Sequence, residues 1–240
     1  MKKSTKIVLT LIILSTASFA GLLAYSNIIT LTERSNISIL VENDKILLNP
    51  YGATLVNPEK YPQRNFNLAI AFVKFLTSEE GQNLIVDFKR DGEALFVPFA
   101  QNLTLAHLLG FPDQEREVEW YEAQAIYPAM NLSKPLLLAT TTSTYESGLL
   151  DYLISFFEQK HSATVHTISV GSGQAIEIAK RGDADLVLAH SRELEETFVQ
   201  EGYGIHRVGV MYNDFVIIGP RNDPAHINGT KNATEAFLKI

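Results

Sequence analysis

Leu136-Leu137-Leu138-Ala139-Thr140-Thr141-Thr142-Ser143-Thr144, and further on Thr164-Val165-His166-Thr167-Ile168-Ser169-Val170-Gly171-Ser172-Gly173-Gln174, decide how this chain folds. Each begins as a short apolar or alternating run, the mark of a strand. Each then breaks into hydroxyl residues or glycine just before a helical pattern. Between them, Glu146–Lys160 places Leu149, Leu150, Leu153, Ile154 and Phe157 on one face of a helix. Beyond them, Gln174–Lys180 predicts a short helix and Asp185–Ala189 a strand behind the turn Gly182-Asp183. Glu193–Gln200 predicts a helix, and Val208–Ile218 a long strand region ending at Gly219-Pro220. Strands and helices alternating at these lengths argue for an α/β class and a parallel, doubly wound sheet flanked by helices.

Towards the N-terminus the pattern is less regular. Ile37–Val41 reads as a buried strand, Asn49-Pro50-Tyr51-Gly52 as a turn and Ala53–Val56 as a second strand. Asn65 is placed to cap a helix carrying Leu68, Ala69, Phe72, Phe75 and Leu76, and Thr77 with Glu80 reads as the capping box of the next. Residues 101–134 read as a linker or surface segment. At the far end, Asn232-Ala233-Thr234-Glu235 opens a helix whose stripe begins with Ala236, Phe237 and Ile240.

Lys2, Lys3 and Lys6 precede an apolar run, Ile7–Leu14, and Ser18-Phe19-Ala20 offers small residues at the −3 and −1 positions. Residues 1–20 therefore read as an export signal cleaved after Ala20. The alternative is an uncleaved anchor over residues 7–24, near the lower length limit for spanning. The chain has 240 residues, 46% of them hydrophobic and 20% charged, which excludes intrinsic disorder and a polytopic membrane protein. It has no Cys, hence no disulfide, thiolate metal site or Cys nucleophile. A formal charge of −7 argues against a nucleic-acid partner. The six His residues are scattered with no i, i+4 pair, so no protein-bound metal is expected, and no cofactor either.

The hydroxyl run Thr140–Thr144 lies where a strand meets a helix. Free N–H groups and side-chain hydroxyls converge at such a point and suit an anion. A plain capping box, Ser143 with Glu146, is the simpler alternative. The second turn, Gly171-Ser172-Gly173, lets backbone approach a ligand closely. It lacks the third glycine of a dinucleotide fingerprint, where Ile176 stands. In a doubly wound sheet both turns sit at the carboxyl ends of strands, where ligands bind. Neutral dipoles there would hold a small oxyanion without Lys or Arg. His190-Ser191-Arg192 is a third candidate, with helix capping by Ser191 as the simpler reading. A Ser143, His190, Asp214 hydrolase triad lacks a nucleophile elbow, and no enzyme is expected.

Leu138–Thr144 with Ser147-Gly148-Leu149-Leu150, then Val170–Ala175, Arg181-Gly182-Asp183-Ala184-Asp185 and Met211–Val216, resembles the start of mature tungstate-binding proteins of ABC importers. The resemblance covers roughly residues 136–240. Ile39–Glu42, Leu48–Gly52, Val56-Asn57-Pro58 and Phe75–Gln82 are similar to the C-terminal third of the same family. Three segments follow: 21–100 resembling the family's end, 101–134 between, and 135–240 resembling its beginning. The family's middle, with a Ser-Arg-Gly-Asp-x-Ser-Gly-Thr-His-type stretch, has no counterpart. A permuted lobe, a junction of tandem genes and an incomplete reading frame all fit that order.

The resemblance implies a type II-like periplasmic-binding-protein fold, one lobe of it permuted or incomplete. It implies an exported, periplasmic or extracellular substrate-binding component that captures tungstate or molybdate and delivers it to a permease. Thr141, Thr142, Ser143, Thr144, Ser172, Gly173 and Gln174 are the expected ligand contacts, with Arg192 placed to face the cleft. Phosphate or sulfate, or a membrane-anchored sensor module, are the alternatives. One lobe alone would bind weakly or not at all, unless a second chain supplies the other.

Overall fold

The computed structural model describes residues 12–15, 36–90, 92–125 and 131–240. The expected cleavage after Ala20 lies outside the described residues, as does most of the alternative anchor. Its four described residues form strand β1 (Ile12–Ser15). No helix among the described residues is long and apolar enough to cross a membrane. The chain divides into two compact units, residues 49–213 and residues 1–48 with 214–240.

The larger unit is built on a mixed sheet. Its strands are β3 (Leu48–Val56), β6 (Val97–Pro98), β7 (Leu136–Thr141), β8 (Val165–Val170), β9 (Leu186–Ala189) and the first part of β10 (Gly204–Pro220). The spatial order is β10-β3-β9-β7-β8. The strands β8, β7 and β9 are parallel, with Thr141 opposite Val170 and Thr140 opposite Leu188. This is the doubly wound part that the alternation predicts. Beyond it β3 runs antiparallel to β9, with Gly52 opposite Ala189. At the other side of β10, β6 pairs antiparallel through Val97 and Pro98. The sheet is therefore mixed rather than wholly parallel, because the N-terminal segment enters it in the reverse direction. A two-stranded ribbon, β4 (Lys89–Arg90) with β5 (Glu93–Ala94), stands apart.

Helices α1 (Phe66–Thr77), α2 (Glu79–Asp87), α3 (Leu103–Leu108), α4 (Gln114–Ala123), α5 (Thr142–Glu146), α6 (Leu149–His161), α7 (Ser172–Lys180) and α8 (Arg192–Gln200) belong to the same unit. Ala139, Val187 and Ala189 of the sheet pack with Ala175, Ile176 and Ala179 of α7 and Phe198 of α8. Helices α1 and α6 meet through aromatic rings: Phe157 stands edge-on to Phe72, with centroids 4.9 Å apart, and lies 5.7 Å from Phe75. Residues 101–134 include α3 and α4, and α4 buries Gln114, Glu117 and Tyr121.

Three local expectations need correction. Asn49-Pro50-Tyr51-Gly52 is part of strand β3 and not a turn, because the Tyr51 side chain is fully buried between Phe96 and His190, and packing overrides turn propensity. The cap of α2 is Ser78, whose Oγ accepts from the Gly81 N–H at 3.2 Å. Thr77 instead ends α1, donating to the Val73 carbonyl at 2.9 Å. The helix expected over Glu146–Lys160 is interrupted: Gly148, at φ +83°, separates α5 from α6.

The smaller unit contains β1, β2 (Ile37–Val41), a 3-10 turn at Lys45–Leu47, the far part of β10 and α9 (Ala233–Lys239). Its β1 pairs antiparallel with β10, Ile12 opposite Ile218 and Ser15 opposite Phe215. Leu40, Val41, Leu47, Ile217, Ile227, Ala233 and Ala236 form its core. Asp44 joins its ends, accepting from Ile46 N–H at 3.1 Å and Ala233 N–H at 2.6 Å. These bonds hold its carboxyl below the usual range. As the spacing predicts, Asn232 caps α9, accepting from Glu235 N–H at 3.0 Å.

Candidate oxyanion site

The parallel register brings both predicted turns to one edge of the sheet. Thr141 ends β7 beside Val170, which ends β8, so α5 and α7 start from neighbouring strand ends. The two turns differ in accessibility. Thr141, Ser143 and Thr144 are buried and Thr142 is exposed, whereas Ser172 is half-buried and Gly173 and Gln174 are exposed.

The buried hydroxyls bond to one another. Thr141 Oγ1 lies 2.7 Å from Thr144 Oγ1 and 3.0 Å from Ser143 Oγ. Ser143 Oγ is also 3.1 Å from the phenol oxygen of Tyr51. Thr140 does not join them, since its Oγ1 donates to the Leu188 carbonyl at 2.9 Å within the sheet. Ser147 closes the short helix, its Oγ donating to the Thr144 carbonyl at 2.7 Å. Arg90 donates to the Glu146 and Ser147 carbonyls, both at 3.0 Å, satisfying acceptors that the short helix leaves open. The Ser172 Oγ is buried without a hydrogen-bond partner among the described residues, a state that ordinarily costs free energy.

Tyr51 reaches this cluster because β3 is antiparallel to β9. The start of β3 thus lies beside the carboxyl end of β9, and the Tyr51 ring meets His190 edge-on at 5.0 Å. Asn49, two residues earlier, donates through Nδ2 to the Tyr51 hydroxyl at 3.3 Å and to Asn213 Oδ1 at 2.8 Å. Burial raises the Tyr51 phenol to about 12, so it keeps its proton. Burial lowers His190, so its neutral form is favoured. Asn49, Tyr51 and Asn213 are members that the sequence reading missed. The available signal was the polar triplet Tyr212-Asn213-Asp214 inside an apolar strand.

Arg192 is engaged elsewhere. Its Nε donates to Glu196 one turn along α8, at 2.7 Å on the exposed face. Ser191 stands at the N-cap, but the loop is secured by Glu195, whose buried carboxylate accepts from Ser191 N–H at 2.8 Å and Arg207 Nε at 2.7 Å. A Cβ at Gly52 would collide with this carboxylate and with Phe111, which is why the strand has glycine there. A separate cavity of about 200 Å³ is lined by Phe111, Arg116, Glu117, His206 and Arg207; Glu117 bonds to Arg116 and to His206, and Arg207 pairs with Glu195. Among the described residues no cluster of His, Asp or Glu could hold a metal ion.

A family model described as a PBP superfamily domain matches residues 121–240. A putative ABC transporter anion-binding protein of Haloferax volcanii is 54% identical over 108 residues, 45% of this chain and 32% of that protein. The tungstate-binding protein TupA of Peptoclostridium acidaminophilum is 51% identical over 89 residues, 37% of this chain and 31% of that protein. The chain thus spans about a third of the length of these curated relatives. A solved structure of the tungstate ABC transporter from Geobacter sulfurreducens is 50% identical, covering 45% of this chain and 47% of that one, with a TM-score of 0.42.

Proposed function

The chain belongs to the PBP superfamily, and on that footing we propose that it is an exported solute-binding component of an ABC importer that captures tungstate or molybdate. The observation that carries this reading is the cluster of neutral hydroxyls at the carboxyl ends of adjacent parallel strands. Tetrahedral oxyanions of this kind only accept hydrogen bonds, and the cluster offers donors. Thr141 and Ser143 reorient their protons from each other towards the anion. Thr142 lies exposed beside them, and Ser172, whose buried Oγ has no partner among the described residues, adds a donor from the second turn with the N–H groups of Gly173 and Gln174. The start of α7 contributes its positive dipole end. Neutral donors suffice when water is excluded, which reconciles an acidic chain with an anionic ligand. The names of the relatives support the choice of ligand, and the stretch that the family model matches, residues 121–240, includes these turns. Delivery to a permease and export through residues 1–20 belong to the same proposal. Binding rather than turnover is its content.

The test is calorimetric titration of the purified chain with tungstate, molybdate, sulfate and phosphate, alongside thermal shift. Ligand at 100 times Kd should add about 2.7 kcal/mol to stability. Tungstate-dependent heat, reduced by Ser143→Ala, is the expected outcome. Absence of heat with all four ions from a folded sample would overturn the reading.

A further inference from the structure

We propose that Tyr51 is a positioning residue that sets the direction of the hydrogen bonds in the hydroxyl cluster, and so biases the site towards fully deprotonated oxyanions over protonated ones. The inference rests on the oxyanion reading of the same site. An amide nitrogen can only donate, and Asn49 Nδ2 faces two acceptors, Asn213 Oδ1 at 2.8 Å and the Tyr51 oxygen at 3.3 Å. The Tyr51 oxygen therefore accepts, and its own proton is directed into the hydroxyl cluster, where Ser143 Oγ lies at 3.1 Å and the Thr144 hydroxyl also bonds to the phenol.

Ser143 thus receives a proton from behind. One of its lone pairs is occupied, and its own hydrogen is left for Thr141 or for a ligand. Chains of hydrogen bonds polarise one another, so a donor fed from Asn49 through Tyr51 is stronger than an isolated hydroxyl. The phenol cannot easily rotate out of this role. Its side chain is fully buried, held edge-on by His190 at 5.0 Å and by Phe96 at 5.8 Å. Tungstate, molybdate and sulfate present only acceptors and fit a cluster wired to donate. Inorganic phosphate near neutral pH has at least one P–OH group, which needs an acceptor in the site. Occupying a Ser143 lone pair removes one such acceptor.

Tyr51→Phe tests this, because it keeps the ring and its packing but removes the relay. Wild type and variant, as full chains, are titrated with molybdate, sulfate and inorganic phosphate at one pH. The expected result is about a three- to tenfold loss of affinity for molybdate and sulfate, the scale of one hydrogen bond, with little loss for phosphate. The oxyanion preference ratio therefore narrows. Equal weakening for all three ions, or no change, would overturn the inference and leave the oxyanion reading standing. Failure of the wild type to bind any of them would sink that reading and the inference together. If Tyr51→Phe does not fold, Asn49→Ala leaves the phenol in place but frees its direction. The ratio should then shift the same way by a smaller factor, and an unchanged ratio would refute the relay.

Discussion

Replacing Asp185 should damage the larger unit more than any surface ion pair would. Its carboxylate is 3% exposed and accepts two backbone N–H groups, Asn65 at 2.8 Å and Leu137 at 2.7 Å. Those bonds tie the start of α1 to the start of β7, and the Asp185 main chain joins β7 and β3 as well, donating to Leu137 and accepting from Val56. Arg64 Nε stands 3.8 Å away and adds a weaker attraction. Hydrogen bonds to a charged acceptor are worth about 1.5–3 kcal/mol each, and removing the acceptor leaves buried donors unsatisfied. Asp185→Ala should therefore cost about 3–6 kcal/mol, a large share of the stability of an ordinary domain. Asp185→Asn retains one acceptor but turns an amide donor towards the other N–H, so it should cost about half as much. Urea unfolding followed by far-UV circular dichroism gives both values. An Asp185→Asn protein within about 0.5 kcal/mol of wild type, or one less stable than Asp185→Ala, would refute the assignment of these bonds.

Phe157→Ala should cost about 3–5 kcal/mol, because Phe157 is fully buried against Phe72 and Phe75 and its removal leaves a cavity between α1 and α6. Phe157→Leu should lose clearly less, and a thermal melt of the two variants orders them. In alkali the chain should lose stability through Tyr51. The folded phenol holds its proton to about 12 while the unfolded one releases it near 10, so unfolding releases a proton in that window. Stability is fully present below pH 10 and falls as pH rises to 12, by about 2–3 kcal/mol. Tyr121, also raised by burial, adds a loss of the same sign. Tyr51→Phe should flatten the Tyr51 share of the alkaline limb in pH-dependent urea titrations, and an unchanged limb would count against a buried neutral phenol.

The α/β class and the two strand-to-helix turns were legible because their signals are local. Leu136–Thr141 and Val165–Val170 are short strands followed directly by helices, and period and punctuation suffice to find them. The antiparallel part was not legible. Nothing in Asn49-Pro50-Tyr51-Gly52 indicates a strand, since Asn, Pro and Gly favour turns and the decisive contacts are with Phe96 and His190, far along the chain. The split of the expected helix at Gly148 was invisible for a related reason: a glycine within a helical stripe is compatible with either outcome. At the site, hydroxyl donors could be named from a run of Thr and Ser. Their partners could not, because Asn49, Tyr51 and Asn213 enter only through strand pairing. Arg192, expected at the cleft, satisfies a nearer carboxylate on its own helix at 2.7 Å.

The cluster around Ser143 also has a history during synthesis. Tyr51 and Ser143 are 92 positions apart, and Asn49 and Asn213 are 164 apart. A ribosome makes the chain from its N-terminus, and long-range pairings of this kind form slowly. The phenol and the carboxamide of Asn49 therefore emerge long before the residues that will receive their protons. Until the first part of β10 has left the exit tunnel, Asn49 has no Asn213 to hold its amide in place, and Tyr51 is an apolar ring awaiting a surface. The hydrogen-bond chain is thus completed only after Asn213 has been made, by residues whose earliest members were among the first described parts of the chain to appear.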